Sequence, residues 1–239
     1  MNFDPYEFDR SITPEGRLET LGHYTAKTFL WMVLGLMITF SVAIVGWITN
    51  ATLYMLYYFP AIQLVVLVAT LVLSVTMARR IERMSVGTAI AMFVAFSALF
   101  GFTMSIYLLL YNFTSVVFVF LATALYFGAL AAYGFLTRRD LSSFRTILLS
   151  GLLFLIAFTV LTWIFPVFNA ADQLICLFGI ALFLVYTAYD TQKIRAYYHY
   201  YAGYPDMLEK ASIFSALQLY LDFLNLFVYL LRFLGKRRD

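Results

Sequence analysis

Charge is scarce in this chain, since Asp, Glu, Lys and Arg together supply 12% of its 239 residues. No basic stripe stands apart from the apolar segments, which excludes a nucleic-acid surface. Cysteine is nearly absent. The single Cys176 has no partner, so disulfides contribute nothing, and it reads as a small buried hydrophobe. The two histidines, His23 and His199, lack zinc-site spacing and read as interfacial residues. No Gly-rich phosphate loop, Gly-x-Ser-x-Gly elbow or paired-cysteine motif appears, nor any low-complexity segment or separate soluble domain. What remains is apolar: 63% of residues are hydrophobic and 19% aromatic, with a mean hydropathy of +0.86. That is the composition of an integral membrane protein. Tyrosines cluster at segment ends, as at Tyr54, Tyr57 and Tyr58 and at Tyr197, Tyr198, Tyr200 and Tyr201, in the manner of interfacial aromatic belts.

Crossing a hydrocarbon core takes about 20 apolar residues. Six stretches qualify clearly, at 28–49, 60–78, 86–108, 113–136, 146–168 and 173–190, and a seventh at 211–231 is apolar overall. The expectation is an all-α membrane domain over 28–239 behind a tail over 1–27. The first run exceeds a signal-peptide core and has no small-residue cleavage site after it, so it reads as a retained helix. Basic residues alternate between connections. Arg10, Arg17 and Lys27 precede the first segment, Arg79, Arg80 and Arg83 follow the second, Arg138, Arg139 and Arg145 follow the fourth, and Lys193, Arg195 and Lys210 follow the sixth. The other three connections carry no Lys or Arg. The positive-inside rule then puts the amino terminus in the cytoplasm. Seven crossings would place Arg232, Lys236, Arg237 and Arg238 on the far side, so the last segment either crosses against the rule or is re-entrant.

Two acids stand within these segments, Asp190 in the sixth and Asp222 in the seventh. An ionised carboxylate in hydrocarbon is costly, so each marks a functional site by default. Around Asp222, Ser215, Gln218 and Asn225 share its helical face at offsets of three and four. A segment polar on one face belongs inside a sheath of other helices, where such side chains find partners or water. Gly203 and Pro205 mark the turn between the two segments. Counting outward from residue 204, the acids fall about one helical turn apart in depth. If they meet, repulsion and burial make them share a proton, as a proton-sensitive latch. Arg79 or Arg80, with Arg80 preferred, is the available counter-charge, although anchoring among headgroups is the ordinary role of such arginines.

From about His23 onward the chain resembles the Bax inhibitor family, the transmembrane Bax-inhibitor-motif proteins. The resemblance is carried by Tyr186-Thr-Ala-Tyr189-Asp190-Thr191-Gln192-Lys193-Ile194 and by Leu219-Tyr220-Leu221-Asp222-Phe223-Leu224-Asn225-Leu226-Phe227. Phe100-Gly101-Phe102-Thr103-Met104-Ser105 and Tyr133-Gly134-Phe135-Leu136-Thr137-Arg138-Arg139-Asp140-Leu141-Ser142 add to it. The resemblance implies seven helices, with two three-helix layers around a central carboxyl-terminal helix. It also implies a pH-sensitive calcium leak, a dyad formed by Asp190 and Asp222, and an arginine of the second segment that swings onto the sixth-segment acid.

Calcium prefers six to eight oxygen ligands. Two carboxylates with Gln218, Asn225, Tyr186, backbone carbonyls or water suit transient passage of the ion better than storage. Calcium is thus expected as a permeant ion, with no cofactor and no enzymatic activity. Two other readings stand beside this one. Paired aspartates also describe intramembrane aspartyl proteases, but Asp222 lacks the Gly-x-Gly-Asp context that lets backbone approach a peptide closely. A modulator of a membrane protease or other membrane partner would use the charged tail, with Asp4, Glu7, Asp9, Arg10, Glu15, Arg17 and Glu19. The expected location is a bacterial plasma membrane.

Overall fold

A computed structural model of the chain describes residues 10–12, 18–137 and 139–238. Among the described residues seven helices are long and apolar enough to cross a membrane. They are α1 (Leu21–Ile48), α3 (Ile62–Arg80), α4 (Val86–Leu110), α5 (Phe113–Leu136), α6 (Arg145–Ile164), α7 (Asp172–Tyr200) and α8 (Pro205–Leu234). A short α2 (Ala51–Tyr58) follows α1, and the strands β1 (Arg10–Ile12) and β2 (Leu18–Thr20) pair antiparallel ahead of it.

The limits of these helices follow from local chemistry. Helix α1 starts seven residues earlier than hydropathy indicates, because the Thr20 hydroxyl caps it by accepting the His23 N–H at 3.2 Å. It ends at Ile48; Asn50, whose φ of 56° is left-handed, then leads into α2, with Tyr54, Tyr57 and Tyr58 mostly exposed. Hydropathy ends the sixth segment at Asp190, yet α7 continues ten residues to Tyr200. Lys193 and Arg195 end the apolar run but are good helix formers. The turn into α8 lies where Gly and Pro place it. Gly203 adopts φ +87°, and Pro205 opens α8, a position whose N–H has no helical partner in any case.

The chain divides into two compact units, one of residues 1–110 with 193–220, the other of 111–192 with 221–239. In the first, α1 and α4 approach closely at glycines. A Cβ on Gly35 would stand 2.6 Å from the Phe93 ring, and one on Gly101 would stand 2.8 Å from the Thr39 carbonyl oxygen. Thr39 donates to the Ser97 carbonyl at 2.9 Å. Its one hydroxyl proton is thereby used, so the Tyr220 hydroxyl donates to Thr39 Oγ1. The rings of Phe93, Phe96 and Phe100 surround that tyrosine, with centroids 5.9–6.2 Å away.

In the second unit Gly134 of α5 meets the backbone of α7 at Ala188, and Gly151 of α6 meets Leu182. Phe223 of α8 packs edge-on against Phe120 and Phe127 of α5. The end of α8 is fastened to the α4–α5 connection. Asn112 N–H donates to the Lys236 carbonyl at 3.0 Å, Tyr111 and Arg237 form an isolated β-bridge, and Arg232 pairs with Asp172 at the start of α7. Helix α8 does not turn back on itself: it is one unbroken helix of 30 residues, about 45 Å long, which is long enough to cross. Its basic end lies with two of the connections that lack Lys and Arg. Among the seven long helices α8 has the largest buried share, 72% of its most apolar stretch against 17% for α3.

Candidate functional site

Asp190 and Asp222 are among the few charged residues that are buried, at 6% and 4% exposure. Asp190 stands ten residues inside the end of α7 and not at a helix terminus. Contacts within the second unit fix how the two helices face each other. Phe183 of α7 stacks on Tyr229 of α8 with centroids 5.9 Å apart. Asp190 lies seven residues after Phe183, and Asp222 seven before Tyr229. In antiparallel helices each step is two turns along the same face. The two acids therefore occupy facing sides at similar depth.

Tyr186 lies one turn before Asp190 on α7. It stacks on Phe183 at 5.7 Å, which fixes its ring one turn from Asp190. The neighbouring hydroxyls bond within their own helix: Thr187 donates to the Phe183 carbonyl at 2.8 Å, and Thr191 to that of Thr187 at 2.7 Å. Among the described residues no three His, Cys, Asp or Glu side chains gather as a metal-binding group. The pair offers a cation carboxylate oxygens without a closed shell.

The remaining expected residues divide between roles. Half-buried positions on α8 run through 214, 218, 221, 225, 228 and 232, a stripe at spacings of four and three. Gln218 and Asn225 lie on it, whereas Ser215 and Asp222 are buried beside it. Asn225 donates to the Leu221 carbonyl of its own helix at 2.8 Å, which engages one of its two amide N–H donors. The Ser215 hydroxyl makes no hydrogen bond among the described residues. Arg79 and Arg80 are exposed at the end of α3. In the tail, Asp4, Glu7, Asp9, Glu15 and Arg17 lie outside the described residues, and of Arg10 and Glu19 only the backbone is described.

Several residues of the motifs prove to be joints. Gln192 accepts the Leu141 N–H at 2.9 Å and donates to the Arg139 carbonyl at 2.8 Å. The segment after α5 is thus tied to α7 two residues past Asp190. A Cβ on Gly134 would stand 2.3 Å from the Ala188 carbonyl oxygen. Lys210, only 6% exposed, donates to the carbonyls of Glu82 and Met84, both at 3.2 Å. Its role escaped the sequence reading, because a lysine in a connection reads as a topology signal.

The family model for the inhibitor of apoptosis-promoting Bax1 matches residues 21–239. The chain belongs to the Bax inhibitor family. A Rickettsia prowazekii relative is 35% identical over 237 residues, covering 98% of this chain and 99% of its own. The Escherichia coli inner membrane protein YbhL is 34% identical over 232 residues, covering 96% and 97%. A Deinococcus radiodurans protein is 33% identical over 230 residues, covering 96% of each. As a Bax inhibitor family member of this length and hydropathy, the chain is an integral membrane protein, consistent with its inner-membrane relative.

Proposed function

We propose that this Bax inhibitor family protein is a non-enzymatic, proton-sensitive leak for calcium, with Asp190 and Asp222 as its sensing pair. The observation that carries the reading is two buried carboxylates on facing sides of α7 and α8. Buried like charges cannot both ionise freely, so the pair takes up and releases protons as one unit. Deprotonated, it presents hard oxygen ligands to a cation; protonated, it exchanges that site for a hydrogen bond between helices. Tyr186, one turn before Asp190 on α7, is the supporting polar group. In this reading the amino terminus faces the cytoplasm of a bacterial plasma membrane, which the positive-inside rule applied to the four basic regions supports.

Calcium flux into liposomes holding the purified protein, from about pH 5 to about pH 8 where physiological proton switches act, tests this. The expected result is pH-dependent flux that persists when residues 1–20 are removed. Absence of flux at every pH overturns the leak reading and leaves modulation of a membrane partner as the alternative.

A further inference from the structure

The corner between α3 and α4 holds a cavity of about 450 Å³ lined by Thr76, Arg80, Arg83, Met84, Thr88 and Met92. Its polar groups are two guanidinium ions and two threonine hydroxyls, and none of the residues lining it is acidic. Glu82, between the two arginines in sequence, is engaged elsewhere: its Oε1 accepts from the Tyr201 hydroxyl at 3.4 Å. Two arginines with no carboxylate among the lining residues select an anion. Their planar forks of N–H donors fit paired phosphate oxygens better than a spherical ion.

The layout of the lining narrows the anion further. Arg80 closes α3 and Thr76 lies one turn inside it, whereas Met84 precedes α4 and Met92 lies two turns within it. Charge therefore gathers at the helix ends, where headgroups lie, and Met92 continues the lining as an apolar wall into the spanning part of α4. A free phosphate has no use for that wall, but the glycerol and first methylenes of a lipid do. Choline or ethanolamine headgroups would also bring a cation that no lining carboxylate receives.

We propose that this corner binds the phosphate of an anionic phospholipid headgroup, with Arg80 and Arg83 on its oxygens and Met84 and Met92 against the glycerol end. The assignment needs neither carboxylate of the leak reading, but it gives Arg80 a phosphate as its partner where the sequence offered that arginine as a counter-charge; Arg83 belongs to this corner alone.

The test is native mass spectrometry of the purified full chain in detergent, titrated with phosphatidylglycerol or phosphatidylcholine. Wild type is expected to retain one phosphatidylglycerol about tenfold more tightly than phosphatidylcholine. Arg83→Gln and Arg80→Gln are each expected to weaken that lipid by about tenfold, the loss of one charge-assisted contact. Arg79→Gln removes the same charge from an exposed side chain outside the cavity lining and is expected to stay within about twofold, the span of half a kcal/mol or less. Unfolding temperatures matching wild type accompany each variant, and if one arginine variant fails to fold the other carries the test. Equal binding of the two lipids overturns the proposal, as does an equal loss with Arg79→Gln. Displacement by inorganic phosphate at the same concentration as the lipid assigns the site to a free anion and also overturns it.

Discussion

Replacing Gly134 with alanine adds one methyl group where the structure has no room for it. The new Cβ would stand 2.3 Å from the Ala188 carbonyl oxygen, 2.8 Å from its Cα and 2.9 Å from its carbonyl carbon. These are backbone atoms, which cannot rotate away as a flexible side chain does. Ordinary contact near 3.5 Å requires α5 and α7 to separate by roughly 1 Å at this point. Overpacking of that kind costs about 1–3 kcal/mol, which for a chain of this size lowers Tm by about 2–12 °C. Gly128 on the same helix is the control, because a Cβ there meets nothing within 4 Å; alanine at that site gains up to about 1 kcal/mol of helix propensity. Cys176, the only thiol and fully buried, makes a thiol-reactive dye a reporter of unfolding. Thermal unfolding in detergent should place Gly134→Ala several degrees below wild type and Gly128→Ala at or above it. If Gly134→Ala melts with wild type, or if both variants fall equally, close backbone approach is not what requires glycine at 134.

Three further outcomes follow from the joints around the site. Gln192→Leu leaves the Leu141 N–H and the Arg139 carbonyl without their partner, at about 1–3 kcal/mol; hydrogen exchange should rise selectively over 139–144, and uniform protection would contradict the joint. Asp140 accepts the Ser142 N–H and hydroxyl, each at 2.8 Å, and these bonds, the backbone one foremost, hold its carboxyl below the ordinary value of 3.8. Their contribution is therefore present above that value and lost as pH falls through the lowered one. A carboxyl-carbon NMR titration should show a midpoint below 3.8 that rises in Ser142→Ala, and a midpoint at or above 3.8 in wild type sinks the point. Thr39→Val removes the acceptor of the buried Tyr220 hydroxyl and should destabilise by about 1–3 kcal/mol, whereas pairing it with Tyr220→Phe should recover part of that loss; additive losses would refute the coupling.

The spans were legible because hydropathy and helix coincide wherever a segment lies wholly in hydrocarbon, as in α5, expected and found at 113–136. The reading failed where a helix outruns the bilayer: α7 continues past Asp190 on Lys193 and Arg195, and α8 begins at Pro205 with Asp206, Glu209 and Lys210 in its first turns. Helix α2 was hidden because eight residues carry no usable period. The two acids stood out from their cost in hydrocarbon alone, but counting through the turn set them a helical turn apart. That count assumes straight parallel axes, and the stacking of Phe183 on Tyr229 brings them closer in depth. Asn225 illustrates the opposite limit. Its spacing put it beside Asp222, yet nothing in a sequence tells an amide that bonds its own helix from one that faces a partner.

The central claim is that Asp190 and Asp222 act as one proton-sensitive unit, and a double-mutant comparison of calcium flux in liposomes tests it most directly. Asp190→Asn, Asp222→Asn and the double variant are each measured from about pH 5 to about pH 8. The account predicts that either single substitution abolishes the pH dependence as completely as both together, because coupled groups are grossly non-additive. Single variants that keep the wild-type pH response, or effects that simply add, would contradict it.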